Sequence, residues 1–185
     1  MNEKRVEEMI ERTARREKWL DVLPLTDTRL QLRANLIDTS VALDNSSDVE
    51  VIHNLRIEAT VSVPGLEILE IQGFADQQPY GECAFTAAKV GELKGLTLKR
   101  GYRREVLAIL GGTRGCSHFL TLALDLSATH VLSIYLRTRE MVENTPSNRE
   151  DGTWTRKGLQ VEPQLIDACF ALRADSPVQS RAKSD

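Results

Sequence analysis

The sequence predicts an α+β fold, in which an antiparallel β-sheet packs against a long helix in the C-terminal half and against shorter helices. Two patterns carry this prediction. Residues 28–75 alternate apolar and polar side chains with a period of two, which is typical of strands with one buried face. The stretch Ser117–Met141 is mainly apolar and has no such alternation, which favours a long core helix. We therefore expect one α+β domain over residues 28–173, with this helix as the main partner of the sheet.

Three strands are predicted in order along the chain. The first starts at Thr28 and points its even-numbered side chains, such as Leu30 and Leu36, to one face. The second covers residues 49–63 and points its odd-numbered side chains inward. A Pro-Gly turn follows, and the third strand is expected over residues 66–75.

Helices and less ordered segments are predicted elsewhere. Residues 2–18 place apolar side chains at helical spacing among charges of both signs, so residues 1–27 are expected to form an amphipathic helix and its connector. Shorter helices are predicted over residues 85–94 and 103–110, each followed by a glycine. Residues 143–158 are rich in turn-forming residues and are predicted as a loop, and residues 174–185 as a disordered tail.

Composition narrows the classes of protein that the chain can belong to. The 185 residues are 41% apolar with a net charge of −3, which excludes a wholly disordered chain. No long basic stripe is interleaved with aromatic residues, so we expect no nucleic-acid partner. The first twenty residues have no apolar central region, and Asp125 and His130 interrupt the longest apolar stretch. We therefore expect a cytoplasmic location and no membrane partner, and leave a homo-oligomer open.

Asp38 and His53 are the first candidate site residues, because each is a polar side chain on the inward face of an apolar strand. A tight hairpin centred between Asn45 and Ser46 would place the two directly opposite each other. A carboxylate that orients an imidazole is suited to general acid–base chemistry or to metal binding. A hydrogen-bonded polar pair in the core fits the same pattern, so both interpretations stay open.

The second candidate site is the glycine-rich segment 111–118, which leads to Cys116 at a helix start. A thiol in that place lies near unpaired backbone N–H groups, which can also bind an anion. At about 100° per residue, a polar stripe follows along the predicted helix. The candidate substrate-binding residues are Gly115, Ser117, His118, Thr121, Asp125 and Cys83. A helix C-cap, a structural cysteine and a solvent-facing stripe would explain the same features.

A metal site is an alternative for the cysteines. Three cysteines without an export signal do not suggest disulfides, so reduced thiols are expected. Together with one histidine they could supply a tetrahedral zinc set, namely Cys83, Cys116, His118 and Cys169. No Cys-x-x-Cys pair occurs, so the spacing gives this set little support, and our main expectation is that no metal or other cofactor is needed.

Five blocks of the sequence together resemble the bacterial domain-of-unknown-function family 2889. They are residues 35–39, 52–57, 79–83, 110–118 and 167–172, of which the Leu-Gly-Gly-x-x-Gly-Cys-Ser-His block is the most specific. The resemblance spans about residues 28–173 and implies no particular activity. Its motif positions fall on Asp38, His53, Cys83, Cys116, His118 and Cys169.

We expect from these patterns a small-molecule enzyme that uses no nucleotide cofactor. It would be a lyase, isomerase or hydrolase that acts on an anionic or carbonyl-containing metabolite. His53 would serve as general acid–base, Asp38 would orient it, and Cys116 would bind or attack the substrate. A non-catalytic protein that binds a small ligand and a zinc-binding domain are the two alternatives.

Overall fold

A four-stranded antiparallel sheet forms the first half of the computed structural model, which describes residues 11–183. Its strands follow chain order and each pairs with the next. They are β1 (Arg12–Thr26), β2 (Arg29–Ala42), β3 (Val49–Ser62) and β4 (Ile68–Gln77). The helices are α1 (Cys83–Lys89), α2 (Tyr102–Leu110), α3 (Ser117–Asp125), α4 (Thr129–Met141), α5 (Pro146–Glu150), α6 (Thr153–Val161) and α7 (Pro177–Lys183). The predicted α+β class is confirmed.

One face of β2 and β3 builds the core, because their inward side chains are apolar and fully buried. Leu32, Leu36 and Ile57 on the sheet lie in one cluster with Phe119 and Leu122 of α3. This packing follows the alternation seen in the sequence, since every second residue of each strand points to α3. The α3 helix is thus a partner of the sheet, as predicted.

A β-bulge sets the register of β2 against β3. The strands are joined by residues 43–48 rather than by a tight hairpin, and Val41 pairs with Val49. Continued without a shift, that register would place Asp38 opposite Ile52 and not opposite His53. The pairing shifts by one residue between Asp38 and Thr39, with Ile52 as the extra residue, so Asp38 lies opposite His53. The predicted pair is confirmed, although the predicted hairpin centre is wrong.

The N-terminal part of the chain is a strand rather than a helix. Residues 12–26 form β1, which pairs with β2 along its length, so the predicted amphipathic helix is wrong from residue 12 onward. Residues 2–10 of that helix lie outside the described residues. The period of two is hidden in the sequence because two inward positions, Arg16 and Lys18, carry charged side chains. The fold tolerates these charges because each pairs with an acidic residue, Asp38 and Asp125 respectively.

Two segments predicted to lack regular structure are helical. The predicted loop 143–158 contains α5 and most of α6, and the predicted tail contains α7. The turn-forming residues of the loop lie at helix ends: Thr145 accepts a hydrogen bond from the backbone N–H of Asn148, and Pro146 occupies the first turn of α5. The same residue types serve turns and caps, which is why the pattern was ambiguous.

The chain divides between Thr129 and His130 into two compact units. The first contains the sheet and α1 to α3, and the second contains nearly all of α4 and the helices after it. This division differs from the predicted single domain over residues 28–173. The segment Ser117–Met141 contains no glycine or proline, so the sequence shows no linker at the boundary.

Within residues 11–183, the helical stretch Ser117–Met141 is the one long and apolar enough to cross a membrane by length and composition. Its side chains Phe119, Leu122 and Leu126 are fully buried in the core of the first unit. A core helix passes the same test, so the stretch is weak support for a membrane span.

Candidate functional site

Asp38 is the centre of the candidate site and belongs to the inward face of β2. Arg16 lies directly opposite on β1. It donates from Nε to Oδ1 and from Nη2 to Oδ2, with a nitrogen–oxygen distance of 2.6 Å in each case. This is a bidentate, charge-assisted pair, which fixes the plane of the carboxylate. The Asp38 side chain is 12% exposed, so the charge is held in a largely buried place by a partner that reaches solvent.

His53 bonds to the same carboxylate from the other side. Its Nδ1 lies 2.9 Å from Asp38 Oδ2, and its side chain is 14% exposed. A carboxylate can only accept, so Nδ1 carries the proton and donates it to Oδ2. Neutral His53 therefore has its lone pair on Nε2. The Asp38 contact selects the tautomer and orients the ring.

The start of α3 brings Cys116 and His118 to the same place. Cys116 is the N-cap residue of α3, and its Sγ lies 3.2 Å from Nδ1 of His118. Nε2 of His118 lies 3.6 Å from Asp38 Oδ2, and its ring centroid is 4.1 Å from that of His53. The two candidate sites of the sequence analysis thus form one cluster of four residues in the structure.

The segment before α3 packs closely against the end of α2, where two of its glycines lie next to backbone atoms. A Cβ on Gly111 would lie 2.3 Å from the carbonyl oxygen of Leu107, and one on Gly115 would lie 2.9 Å from that of Leu110. Gly112 adopts a left-handed φ of 63° between them. The glycines thus let the chain fold tightly against the end of α2 and deliver Cys116 to the site.

Charge and burial shift the pKa values of three site residues in defined directions. Hydrogen bonds from Arg16 lower the pKa of Asp38 despite its burial, so the carboxylate is ionised at neutral pH. The same pair raises the pKa of Arg16, and the nearby Cys116 adds to that effect. Burial lowers the pKa of His118, and the charges of His53 and Arg16 lower it further against the opposing effect of Asp38. His118 is therefore neutral at pH 7.

An open cavity of about 450 Å³ lies over this cluster. Residues from all three contributing strands and from α3 line it: Ala14, Arg15, Arg16, Asp38, Thr39, Ile52, His53 and His118. Cys116 does not line the cavity and packs partly against the core. A small molecule in the cavity thus meets both imidazoles and Arg16, whereas the Cys116 thiol contacts it only through His118.

The other predicted site residues lie at varying distances from this cluster. Asp125 accepts a hydrogen bond from Lys18 over 2.6 Å, and Thr121 donates to the backbone carbonyl of His118, so both support α3. Ser117 is exposed, and Gly115 has the structural role described above. Cys83 begins α1, and Cys169 is exposed in the second unit.

Within the described residues of the first unit, Cys83 and Cys116 of the suggested zinc set belong to no group of potential metal ligands. Among the described residues, the only group of three or more potential metal ligands is Asp38, His53 and His118, with one ligand atom from each within 4.8 Å of the others. Cys83 and Cys169 take no part in it. The spacing of the cysteines already gave the suggested zinc set little support. The potential ligands that do lie together are two strand residues, Asp38 and His53, and His118 of α3.

Arg16 is the site residue that the sequence analysis missed. It lies in the segment predicted as a helix, where an arginine among many charges gave no signal. Once β1 is known to pair with β2, the period of two places Arg16 on the inward face with Asp38. An unpaired charge on such a face is costly, so the strand register is the signal that could have found it.

The chain belongs to the family of proteins of unknown function DUF2889, which matches residues 14–132. The matched region contains the four clustered residues Asp38, His53, Cys116 and His118, as well as Arg16. It ends close to the boundary between the two compact units. Comparison with curated proteins and with solved structures found no match.

Proposed function

We propose that this protein is an enzyme that transfers protons on a small anionic or carbonyl-containing metabolite, as a lyase, isomerase or hydrolase does. The observation that carries the proposal is the Asp38–His53 hydrogen bond of 2.9 Å at an open cavity. The position of the pair at a cavity of about 450 Å³ beside a second imidazole favours a catalytic role.

His53 is the general acid–base in this proposal. Its Nδ1–H is committed to Asp38, so Nε2 takes a proton from the substrate and returns it. The carboxylate stabilises the imidazolium that forms, because it lies 2.9 Å away and stays ionised. Asp38 is held in turn by Arg16, so the base does not need to reorganise when its charge changes.

Arg16 and the second imidazole define the substrate class. Arg16 lines the cavity, and its Nη1, which the pair with Asp38 does not use, can donate to a carboxylate or a developing oxyanion. Neutral His118 can donate or accept one hydrogen bond there. The cavity volume suits a metabolite of modest size. The chain has no Gly-Lys-Ser/Thr phosphate loop, which supports chemistry without a nucleotide cofactor.

Cys116 acts as a positioning residue for His118 in this account. The thiol was expected to bind or attack the substrate, but it lies behind His118 and outside the cavity lining. Its 3.2 Å contact with Nδ1 fixes the imidazole ring. The oriented pair His53 and Asp38 then carries the proton transfer.

Deuterium exchange into simple oxo acids tests this proposal, with these compounds in place of the physiological substrate. A panel of 2-oxo and 3-oxo carboxylic acids is incubated with the protein in D₂O, and loss of the exchangeable C–H signal is followed by proton NMR. We expect catalysed exchange of at least one compound, reduced about 100-fold to 10,000-fold in His53→Gln. The control His130→Gln changes a histidine of the second unit and should exchange at the wild-type rate. A wild-type rate in folded His53→Gln would remove His53 from the chemistry.

A further inference from the structure

We propose that Asp38, His53 and His118 form a binding site for one divalent transition-metal ion of the zinc type. The three residues supply one carboxylate and two imidazoles, which is a ligand set that zinc takes in proteins. They are the only group of this kind among residues 11–183, and their ligand atoms lie within 4.8 Å of one another. This set is distinct from the cysteine set suggested by the sequence.

Two of the three distances between the ligand atoms fit tetrahedral coordination, and the third is within 4.8 Å. With zinc–ligand bonds of about 2.0–2.1 Å, two ligands of a tetrahedral ion are about 3.3 Å apart. Oδ2 of Asp38 lies 2.9 Å from Nδ1 of His53 and 3.6 Å from Nε2 of His118, on either side of that value. A direct hydrogen bond does not account for the second distance, because 3.6 Å is too long for one. Small movements of the two rings would bring both nitrogens to a common ion at Oδ2.

Two of the three ligands are already oriented by an outer partner. Arg16 holds Asp38, and because each carboxylate oxygen has two lone pairs, Oδ2 can accept from Arg16 and still bind an ion. Cys116 contacts Nδ1 of His118, which leaves Nε2 as the ligand atom. Metal-binding histidines commonly use their second ring nitrogen for such a contact.

The three ligands would leave a fourth position for water or a substrate oxygen, because His53 and His118 line an open cavity. The ion would take Nδ1 of His53, which otherwise donates to Asp38, and so shift the ring to the other tautomer. One consequence rests on the proposed function: zinc should inhibit proton transfer by His53. The binding itself does not depend on any activity.

Titration of the full-length, metal-stripped chain with ZnCl₂ tests the site by calorimetry in a non-chelating buffer. We expect one ion per chain, with the dissociation constant raised at least about tenfold in His53→Ala and in His118→Ala. Three controls should bind as the wild type does: His130→Ala, Cys83→Ser and Cys169→Ser. Circular dichroism and thermal unfolding of each variant establish that the fold is retained.

Cobalt substitution supplies an independent readout of the ligands. Co²⁺ in this site should show the d–d absorption of a four-coordinate ion and no sulfur-to-metal charge-transfer band. A charge-transfer band, or loss of binding in Cys83→Ser, would overturn the proposed ligand set. So would unchanged affinity in folded His53→Ala and His118→Ala, or a wild-type stoichiometry far below one. Failure of deuterium exchange would bear on the enzyme alone, because the titration uses no substrate.

Discussion

Asp38 is the residue on which the other site residues depend. It accepts two hydrogen bonds from Arg16 and one from His53, and it lies 3.6 Å from His118. An ionised carboxylate on an otherwise apolar strand face is unfavourable without these donors. The sequence indicated Asp38 and His53 through their inward positions. It did not indicate Arg16, because the strand that carries Arg16 has charges on both faces.

Removal of the Arg16 guanidinium should destabilise the protein. Arg16→Gln removes the bidentate, charge-assisted pair from a largely buried carboxylate, and we expect a loss of about 1–3 kcal/mol in the free energy of unfolding. Because the Arg16 side chain is 44% exposed, water compensates in part and the lower half of that range is expected. Urea unfolding measures the difference. The matched control is Arg15→Gln. Because the Arg15 side chain is 68% exposed, this substitution should lower the free energy of unfolding by less than about 0.5 kcal/mol. Equal losses in the two variants would contradict the assigned role of Arg16.

His118 should make stability depend on pH below neutrality. Burial lowers its pKa in the folded state, so the unfolded chain binds more protons between that value and the ordinary pKa of about 6.5. The free energy of unfolding therefore rises with pH in this window and falls as the solution is acidified. Urea unfolding of the wild type and of His118→Gln from about pH 7 to pH 5 should show a shallower dependence in the variant. A steeper dependence in His118→Gln would have the wrong sign for this account.

At the scale of elements, strand register brings the site together. Pairing of Asp38 with His53 requires the bulge at Ile52, because the pairing next to the loop, Val41 with Val49, is centred on Asn45 and not between Asn45 and Ser46. The alternation of apolar residues could predict which face each side chain occupies. It could not predict the bulge, since an extra residue changes the pairing without changing the composition of either strand. The pairing beside the loop is one residue away from the predicted register, and the bulge shifts it back by one residue, so the predicted pair still forms.

The turn before α3 should be sensitive to a single methyl group. Gly115→Ala places a Cβ 2.9 Å from the carbonyl oxygen and 3.0 Å from the Cα of Leu110, so the backbone that carries Cys116 must shift. We expect a loss of about 1–3 kcal/mol in stability and changed NMR signals of the His118 ring. In Gly91→Ala the new Cβ has nothing within 4 Å, so that variant serves as the control. Unchanged His118 signals in Gly115→Ala would show that the turn does not position the imidazole.

For the whole molecule, the two compact units differ in what they contribute. Every clustered site residue lies in the first unit, and the family match ends at residue 132. The helices of the second unit were the hardest part to predict. Residues such as Thr145, Pro146 and Gly152 signal turns as strongly as they signal helix ends. The segment that leads into α4 also has no glycine or proline to mark the boundary.

A substitution in the second unit should therefore leave the site intact. Gly152 has a left-handed φ of 86°, and a Cβ there would lie 2.5 Å from backbone atoms of Arg181. Gly152→Ala should cost about 1–3 kcal/mol in stability through strain and the clash with α7. The ring signals of His53 and His118 in a ¹H–¹⁵N NMR spectrum should stay at their wild-type positions. Loss of those signals in the folded variant would contradict a site confined to the first unit.

The tautomer of His53 tests the central claim most directly. A long-range ¹H–¹⁵N NMR spectrum of the metal-free protein above pH 7 distinguishes a protonated Nδ1 from a protonated Nε2. For the neutral ring we predict a proton on Nδ1, which donates to Asp38 at a distance of 2.9 Å, an unprotonated Nε2, and loss of this preference in Asp38→Ala, which has no side-chain acceptor. A proton on Nε2 in the wild type, or an unchanged tautomer in folded Asp38→Ala, would contradict the role assigned to the pair.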